Sequence, residues 1–526
     1  MATTLGFKDI VDVPKWRMEA PALAASGAGM ALAWDNRNSD VSGNPYIYLL
    51  RSASALDFFD PTTGEWGALA TPGLAGTFGA GATAVFHPSQ GPRGTLAAGG
   101  TTTSVVLSTA LPAPVGVNQL ANRGDGTGFR ILVANKVTGK CEIRTIVGNT
   151  AGTTPTVYID SAVPFTAAPN ASDLYEIRAG RVFMLSAGTL AAGVWKYYDI
   201  ATNSYSGNLA TTNLPATIGS DSNAVALSES YVSNDRKPNE GFVSGGATWD
   251  AGSGAISKNC IQATAASSTT LTGSGMPASL QANEYRNFQV RIVEDTTTPT
   301  AVGQRSRIAS HTGGATGVFT VAAFGVTPSA VAKFVVENDD DKILLRSSSS
   351  TSVFCYNITA NTWDVTTFSA AGAACGAGVV VEQAFGPVRD VIGNHRHSFI
   401  YNFRGGGSAS IDVLDIAGGA NGSWSADIAY ANKSQTFGTG TCGSYAPATF
   451  DGRFIHLNIN GTQRMARFDV RNRRLDAGAY LRFPQGTALV GQKMAVTTFI
   501  DGATKLDFVY HLTNSQTQML SMIVSR

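Results

Sequence analysis

The sequence is short of charge. Lys, Arg, Asp and Glu make up 14% of its 526 residues, well below the quarter that is usual in a soluble protein. The 38 basic and 37 acidic residues nearly cancel, which argues against a dedicated nucleic-acid surface and leaves room only for a local patch. Cysteine is also scarce. Cys141, Cys260, Cys355, Cys375 and Cys442 are odd in number and scattered, with no CxxC spacing. They read as free, mostly buried thiols rather than a disulfide framework or a metal site. No apolar run approaches the length of a membrane-spanning helix. The stretch Met1-Ala2-Thr3-Thr4-Leu5-Gly6-Phe7-Lys8 lacks the basic and apolar regions of a signal peptide, so synthesis in the cytoplasm is expected. Gly-x-Ser-x-Gly, Walker and dinucleotide fingerprints are missing as well.

What the sequence does have is glycine, 58 residues of it, and one recurring stretch. It first reads Phe59-Asp60-Pro61-Thr62-Thr63-Gly64-Glu65-Trp66. It returns as Tyr198-Asp199 through Tyr205, as Tyr356-Asn357 through Trp363, in a longer form from Asp415 to Trp424, and as Phe468-Asp469 through Leu475. Asp or Asn at a strand end accepts backbone N–H bonds within a turn. Gly64 or Asn203 can take the positive φ that closes it. The large residue after the turn packs between adjacent sheets. Asp60, Trp66, Asp199, Tyr205, Asn357, Trp363, Asp415, Trp424 and Asp469 are therefore expected to anchor the outer hairpins of four-stranded blades.

Spacing sets the blade count. The anchors lie 139, 158, 58 and 54 residues apart. The last two intervals fit a propeller blade, and the first two exceed it by roughly 80 and 100 residues. Those excesses match two excursions that share a four-part strand order. The C-terminal blade ends one strand short, and an orphan strand stands near Trp16; pairing the two would close the ring and remove two exposed edges. The expectation is an all-β, six-bladed propeller with two inserted small β-domains, with eight blades as the alternative. The chain divides into an arm at 1–15, propeller at 16–99, 177–246 and 338–526, and inserts at 100–176 and 247–337.

Two resemblances follow from these residues. The blade pattern resembles kelch-type propellers, with Gly-Gly pairs at Gly99-Gly100, Gly245-Gly246 and Gly405-Gly406. The insert pattern runs Arg-Ile-Val, then Arg-x-Ile-Ala/Val-x-x-Thr, then a Val-rich strand, and it resembles small β-inserts of tailed-bacteriophage virion proteins. That second resemblance implies a virion structural protein of tail, baseplate or neck, partnered by other virion proteins in a homo-oligomeric ring or another symmetric assembly. It implies neither enzyme activity nor a cofactor. A carbohydrate-binding host-attachment protein is the alternative, with Trp249, Tyr158 and Tyr285 as candidates to stack on glycan rings. A propeller enzyme acting on glycans, or a copper oxidase, is the third reading.

Other features favour bland readings. His395-Arg396-His397 could hold a metal on one strand face, but reads as a loop. Cys355-Tyr356 lies on one strand with its side chains on opposite faces. Arg123-Gly124-Asp125 spells an integrin-type tripeptide and fits a chance match in a turn. Asp339-Asp340-Asp341 reads as a solvated turn. Arg467, Arg471, Arg473 and Arg474 read as a hairpin decorated for solubility.

Overall fold

A computed structural model describes residues 16–25, 29–34, 46–76, 78–79, 81–124, 126–219, 222–227, 260–274, 281–384, 399–445, 453–460, 465–477, 493–501, 504–512 and 517–524. Six antiparallel four-stranded sheets form a six-bladed propeller. Their innermost strands are Ala31–Ala33, Thr83–His87, Asn223–Leu227, Val380–Ala384, Cys442–Tyr445 and Lys493–Asp501, and each neighbours the next around a closed circle. The sixth blade is completed by Trp16–Pro21, which pairs antiparallel with Gln518–Val524 in the register Trp16↔Met522 and Met18↔Leu520. The first and last segments of the chain thus share one sheet, as the missing C-terminal strand requires.

The ring is held by apolar cores between blades. Because successive strand residues point to opposite faces, each blade feeds two cores. Cys355 packs toward the fourth blade, and Tyr356, next to it, packs toward the second. Further cores join the first blade to the second and to the sixth, and the fifth to the fourth and to the sixth. The largest aromatic cluster lies between the second and third blades, where Trp195 and Trp363 approach to 5.2 Å between centroids and Tyr356 meets both.

The anchors carry out the turn chemistry in four of the five hairpins. Asp60 Oδ1 accepts from Thr62 N at 2.8 Å, Asp199 Oδ1 from Thr202 N at 3.2 Å and Asp415 Oδ1 from Ala417 N at 2.9 Å. Asp469 Oδ1 accepts from Arg471 N and Asn472 N, each at 3.0 Å. The register repeats as well: Phe59↔Trp66, Tyr198↔Tyr205, Tyr356↔Trp363, Leu414↔Trp424 and Phe468↔Leu475. A left-handed residue follows four places after each anchor of the short form, at Gly64, Asn203, Asn361 and Arg473.

Asn357 is the exception, and a correction. Its amide donates to Asp364 Oδ2 at 2.7 Å, and it does not accept from the turn. Asp341 does so instead, taking Thr359 N at 2.8 Å while its carbonyl accepts Ile358 N. A neutral amide cannot match the charge-assisted bond of a carboxylate, and the third blade takes one from the link between Lys333–Glu337 and Lys342–Arg346.

Both excursions leave between the first and second strands of a blade, the second and third blades respectively, so they rise from the same propeller face. Each is a closed six-stranded barrel. The first uses Arg93–Thr101, Ser104–Leu107, Arg130–Asn135, Lys140–Asn149, Thr156–Ile159 and Leu174–Arg178. The second uses Ile261–Ala266, Thr270–Ser274, Gln289–Glu294, Arg305–His311, Thr316–Val321 and Lys333–Glu337. Numbered from each barrel's own start, both rings read first, second, fifth, fourth, third, sixth. The two barrels share one topology. Closure leaves no free sheet edge on either barrel. The strand Arg93–Thr101 straddles the boundary expected at residue 100.

Candidate functional site

The two barrels meet in a seam built from one backbone bridge, a small apolar core and a set of buried charges. Lys140 of the first barrel pairs with Glu294 of the second, and Asp295 N donates to Gly139 O at 2.8 Å. Ala134, Cys141, Val293, Val302 and Val335 form the apolar part. Burial pushes the Cys141 thiol up to about 12, and that of Cys260 likewise; both are packing groups, not nucleophiles.

The charges come from both barrels and from the propeller. Glu176 of the first barrel binds Arg305 of the second at 2.8 Å and lies 3.9 Å from Arg291. Arg291 Nε donates to Glu337 at 2.8 Å. Arg305 Nη1 donates to Asp340 at 3.1 Å, and Gln289 Nε2 to the same carboxylate at 3.0 Å. Gln90, in the loop where the second blade gives way to the first barrel, donates to the Asp340 carbonyl at 2.7 Å. Burial alone would raise the Glu176 carboxyl, but the guanidinium groups of Arg305, Arg291, Arg93 and Arg178 outweigh it and hold the group well below the usual carboxylate range. Such a cluster fixes geometry more than it adds stability, since desolvation offsets most of the attraction.

Side-chain amides of both barrels also bond to the propeller. Gln119 Nε2 donates to Ala201 O at 3.0 Å beside the second blade's anchor turn. Asn287 Nδ2 donates to Gly419 O at 2.9 Å in the fourth blade's turn, and to Ile416 O at 2.6 Å as well. The barrels are therefore fixed to each other and to the ring.

Cavities are small. The central channel encloses about 90 Å³ among Ala31, Ala33, Ala224, Ala226, Gly443 and their neighbours, and Glu382 is its one carboxylate among the described lining residues. That is well below the ~300 Å³ of an ordinary small-molecule site. A pocket of about 220 Å³ opens beside the seam, lined by Arg93, Leu174, Glu176 and Arg291. Another, of about 250 Å³, lies where the first barrel meets the first two blades. Among the described residues no group of three or more His, Cys, Asp or Glu side chains is placed to hold a metal, and no helix is long and apolar enough to cross a membrane.

The sequence candidates separate. Tyr158 is exposed on the first barrel. Tyr285 is 1% exposed, packed against Phe288 and His311 in the core of the second; it cannot stack on a sugar, a correction. Trp249, His395, His397 and Asp125 lie outside the described residues, as does the arm at 1–15, and of Trp16 only the backbone is described. The Asp triplet is no solvated turn: Asp340 is buried under Arg305, Asp341 serves the third blade's hairpin, and Asp339 faces Lys342 at 3.6 Å. In the basic cluster Arg467 lies over the Phe454 ring at 4.4 Å and 3.6 Å from Asp476, and Arg474 pairs with Asp476 at 2.5 Å. Reading the sequence missed the seam charges, because residues more than a hundred positions apart meet there.

No protein-family model matches the chain, and no curated protein matches it. Among solved structures it is similar to an auxiliary nutrient binding protein from Bacteroides ovatus, at 9% identity and a TM-score of 0.26 over 66%, just under two thirds, of each chain. Sqt1 of Saccharomyces cerevisiae gives 8% identity and 0.29, covering 97% of this chain and 87% of that one. An α-L-arabinofuranosidase from Fusarium graminearum gives 10% and 0.25, covering 65% and 89%. Scores this low carry no weight in the functional reading.

Proposed function

We propose that the chain is a non-enzymatic structural and interaction protein, a propeller platform that presents two fused barrels to a neighbouring subunit. The observation that carries this reading is where the exposed apolar side chains lie. Ten large hydrophobic residues are exposed among those described, and seven stand on the barrels: Val117, Val137, Val147, Tyr158, Leu174, Val326 and Val331. The barrels hold well under half of the described residues, so this is a concentration and not the ordinary scatter of surface apolar groups. The rigid attachment through the seam supports the same role, since a fixed surface loses little freedom on docking. The setting we propose is the particle of a tailed phage, on the resemblance of the inserts, with other virion proteins or further copies of the chain as partners.

The test replaces apolar barrel residues by charge. Val147→Asp combined with Val331→Asp, both exposed positions, should leave the melting temperature unchanged and reduce incorporation into particles about tenfold or more, as loss of central interface residues does. Undiminished incorporation would contradict the reading.

A further inference from the structure

The pocket of about 220 Å³ beside the seam is lined by a guanidinium that the protein's own carboxylates serve poorly. We propose that it binds a short-chain monocarboxylate, with the carboxylate on Arg93 and the alkyl tail on the apolar lining. This goes beyond the interaction role and does not depend on it.

The charges around the pocket are out of balance. Four guanidinium groups, those of Arg93, Arg178, Arg291 and Arg305, gather about three carboxylates, Glu176, Glu337 and Asp340. Arg305 and Arg291 each have a carboxylate at 2.8 Å. Arg93 does not. Its nearest among the described residues is Asp340, at 3.9 Å. Its one hydrogen bond runs from Nη2 to Ser89 O at 3.3 Å, and its Nε is buried with no acceptor among the described residues. Burial holds the Arg93 guanidinium below its ordinary value, and Glu176 and Asp340 do not offset the lost hydration. A cation so placed gains from an added anion. Glu176 lines the same pocket, but both its oxygens face Arg305 Nη2, at 2.8 and 2.9 Å, so its charge is committed there. Arg93 is also within reach from outside, with 30% of its side chain exposed.

The rest of the lining is largely apolar. Leu132, Ala134 and Leu174 come from the first barrel, and Leu174 extends to the surface. Gly303 of the second barrel closes against them. It sits at φ +86°, and a methyl group there would lie 2.6 Å from Ala134 Cβ and 3.5 Å from Leu174 Cδ1. Only glycine permits the approach. Such a lining disfavours bare phosphate, whose oxygens would lack donors. The volume falls below that of drug-sized sites and limits the tail to a few carbons.

The test is titration calorimetry on the full chain at neutral pH, with acetate, butanoate, hexanoate and inorganic phosphate as probes. Butanoate should bind saturably and about tenfold or more tighter than acetate, at roughly fourfold per methylene buried. Arg93→Gln should weaken acetate and butanoate alike, by about tenfold or more. Leu174→Ser, at an exposed position, should weaken butanoate severalfold and acetate little, with no change in melting temperature. Should Arg93→Gln fail to fold, Leu174→Glu carries the test of charge: a carboxylate set beside the pocket should weaken every probe. Absence of saturable binding by all three carboxylates, phosphate bound as tightly as butanoate, or butanoate binding that a folded variant leaves unchanged would overturn the proposal.

Discussion

Arg473 shows how much the blade turn demands of single residues. It sits at φ +47°, where the other short turns carry Gly64, Asn203 and Asn361. A long side chain in the left-handed region costs about 1 kcal/mol relative to residues that accept it. Arg473→Asn should therefore raise stability by up to about 1 kcal/mol, seen as a higher urea midpoint; an unchanged or lower midpoint would show that the arginine has a compensating contact. His511 gives a second prediction. It is buried in the sixth blade, and burial pushes its imidazole down to about 3 from an ordinary 6.5. Above about pH 6.5 both folded and unfolded chains hold it neutral, and the group has no effect. As pH falls from there toward 3, only the unfolded chain takes the proton, and stability falls by up to about 1.4 kcal/mol per pH unit. Urea midpoints measured from pH 7 to 5 should decline, and His511→Gln should flatten part of that decline. Neither effect is legible in the sequence, because each depends on where a turn or a strand comes to rest.

At the scale of elements, the sequence carried the periodic parts well. The anchor turns of the short form repeat with a fixed offset, and the register of those four hairpins follows from it. It carried the inserts only in part. Their third to sixth strands are rich in β-branched residues and stand out. Their first and second, such as Arg93–Thr101 and Thr270–Ser274, are Gly- and Thr-rich and do not. Closure into barrels was therefore not readable, nor was a seam formed by one bridge and a set of distant charges. Ring closure was readable, from the orphan strand near Trp16 taken with the strand missing from the last blade. Trp16–Pro21 covers the edge of Gln518–Val524, and Trp66 Nε1 donates to Ala20 O at 2.9 Å, so this strand also secures the first blade. Deleting residues 1–21 should lower the melting temperature by on the order of 5–10 °C and promote association through the exposed edge. An unchanged melt would show that the ring holds without its shared blade.

At the scale of the whole molecule, three kinds of junction combine into one rigid body. Six apolar cores close the ring, two more fill the barrels, and the charged seam joins the barrels over one propeller face. A body of this kind suits the presentation of a surface rather than a moving catalytic lid, and its exposed apolar residues concentrate on the barrels. The most direct measurement is lysine cross-linking of assembled particles read by mass spectrometry. Lys136, Lys140 and Lys333 lie on the barrels, near the seam. The account predicts that cross-links to other particle proteins, or to further copies of the chain, fall chiefly on these barrel lysines. Cross-links confined to the propeller, or particles that contain none of this chain, would contradict it.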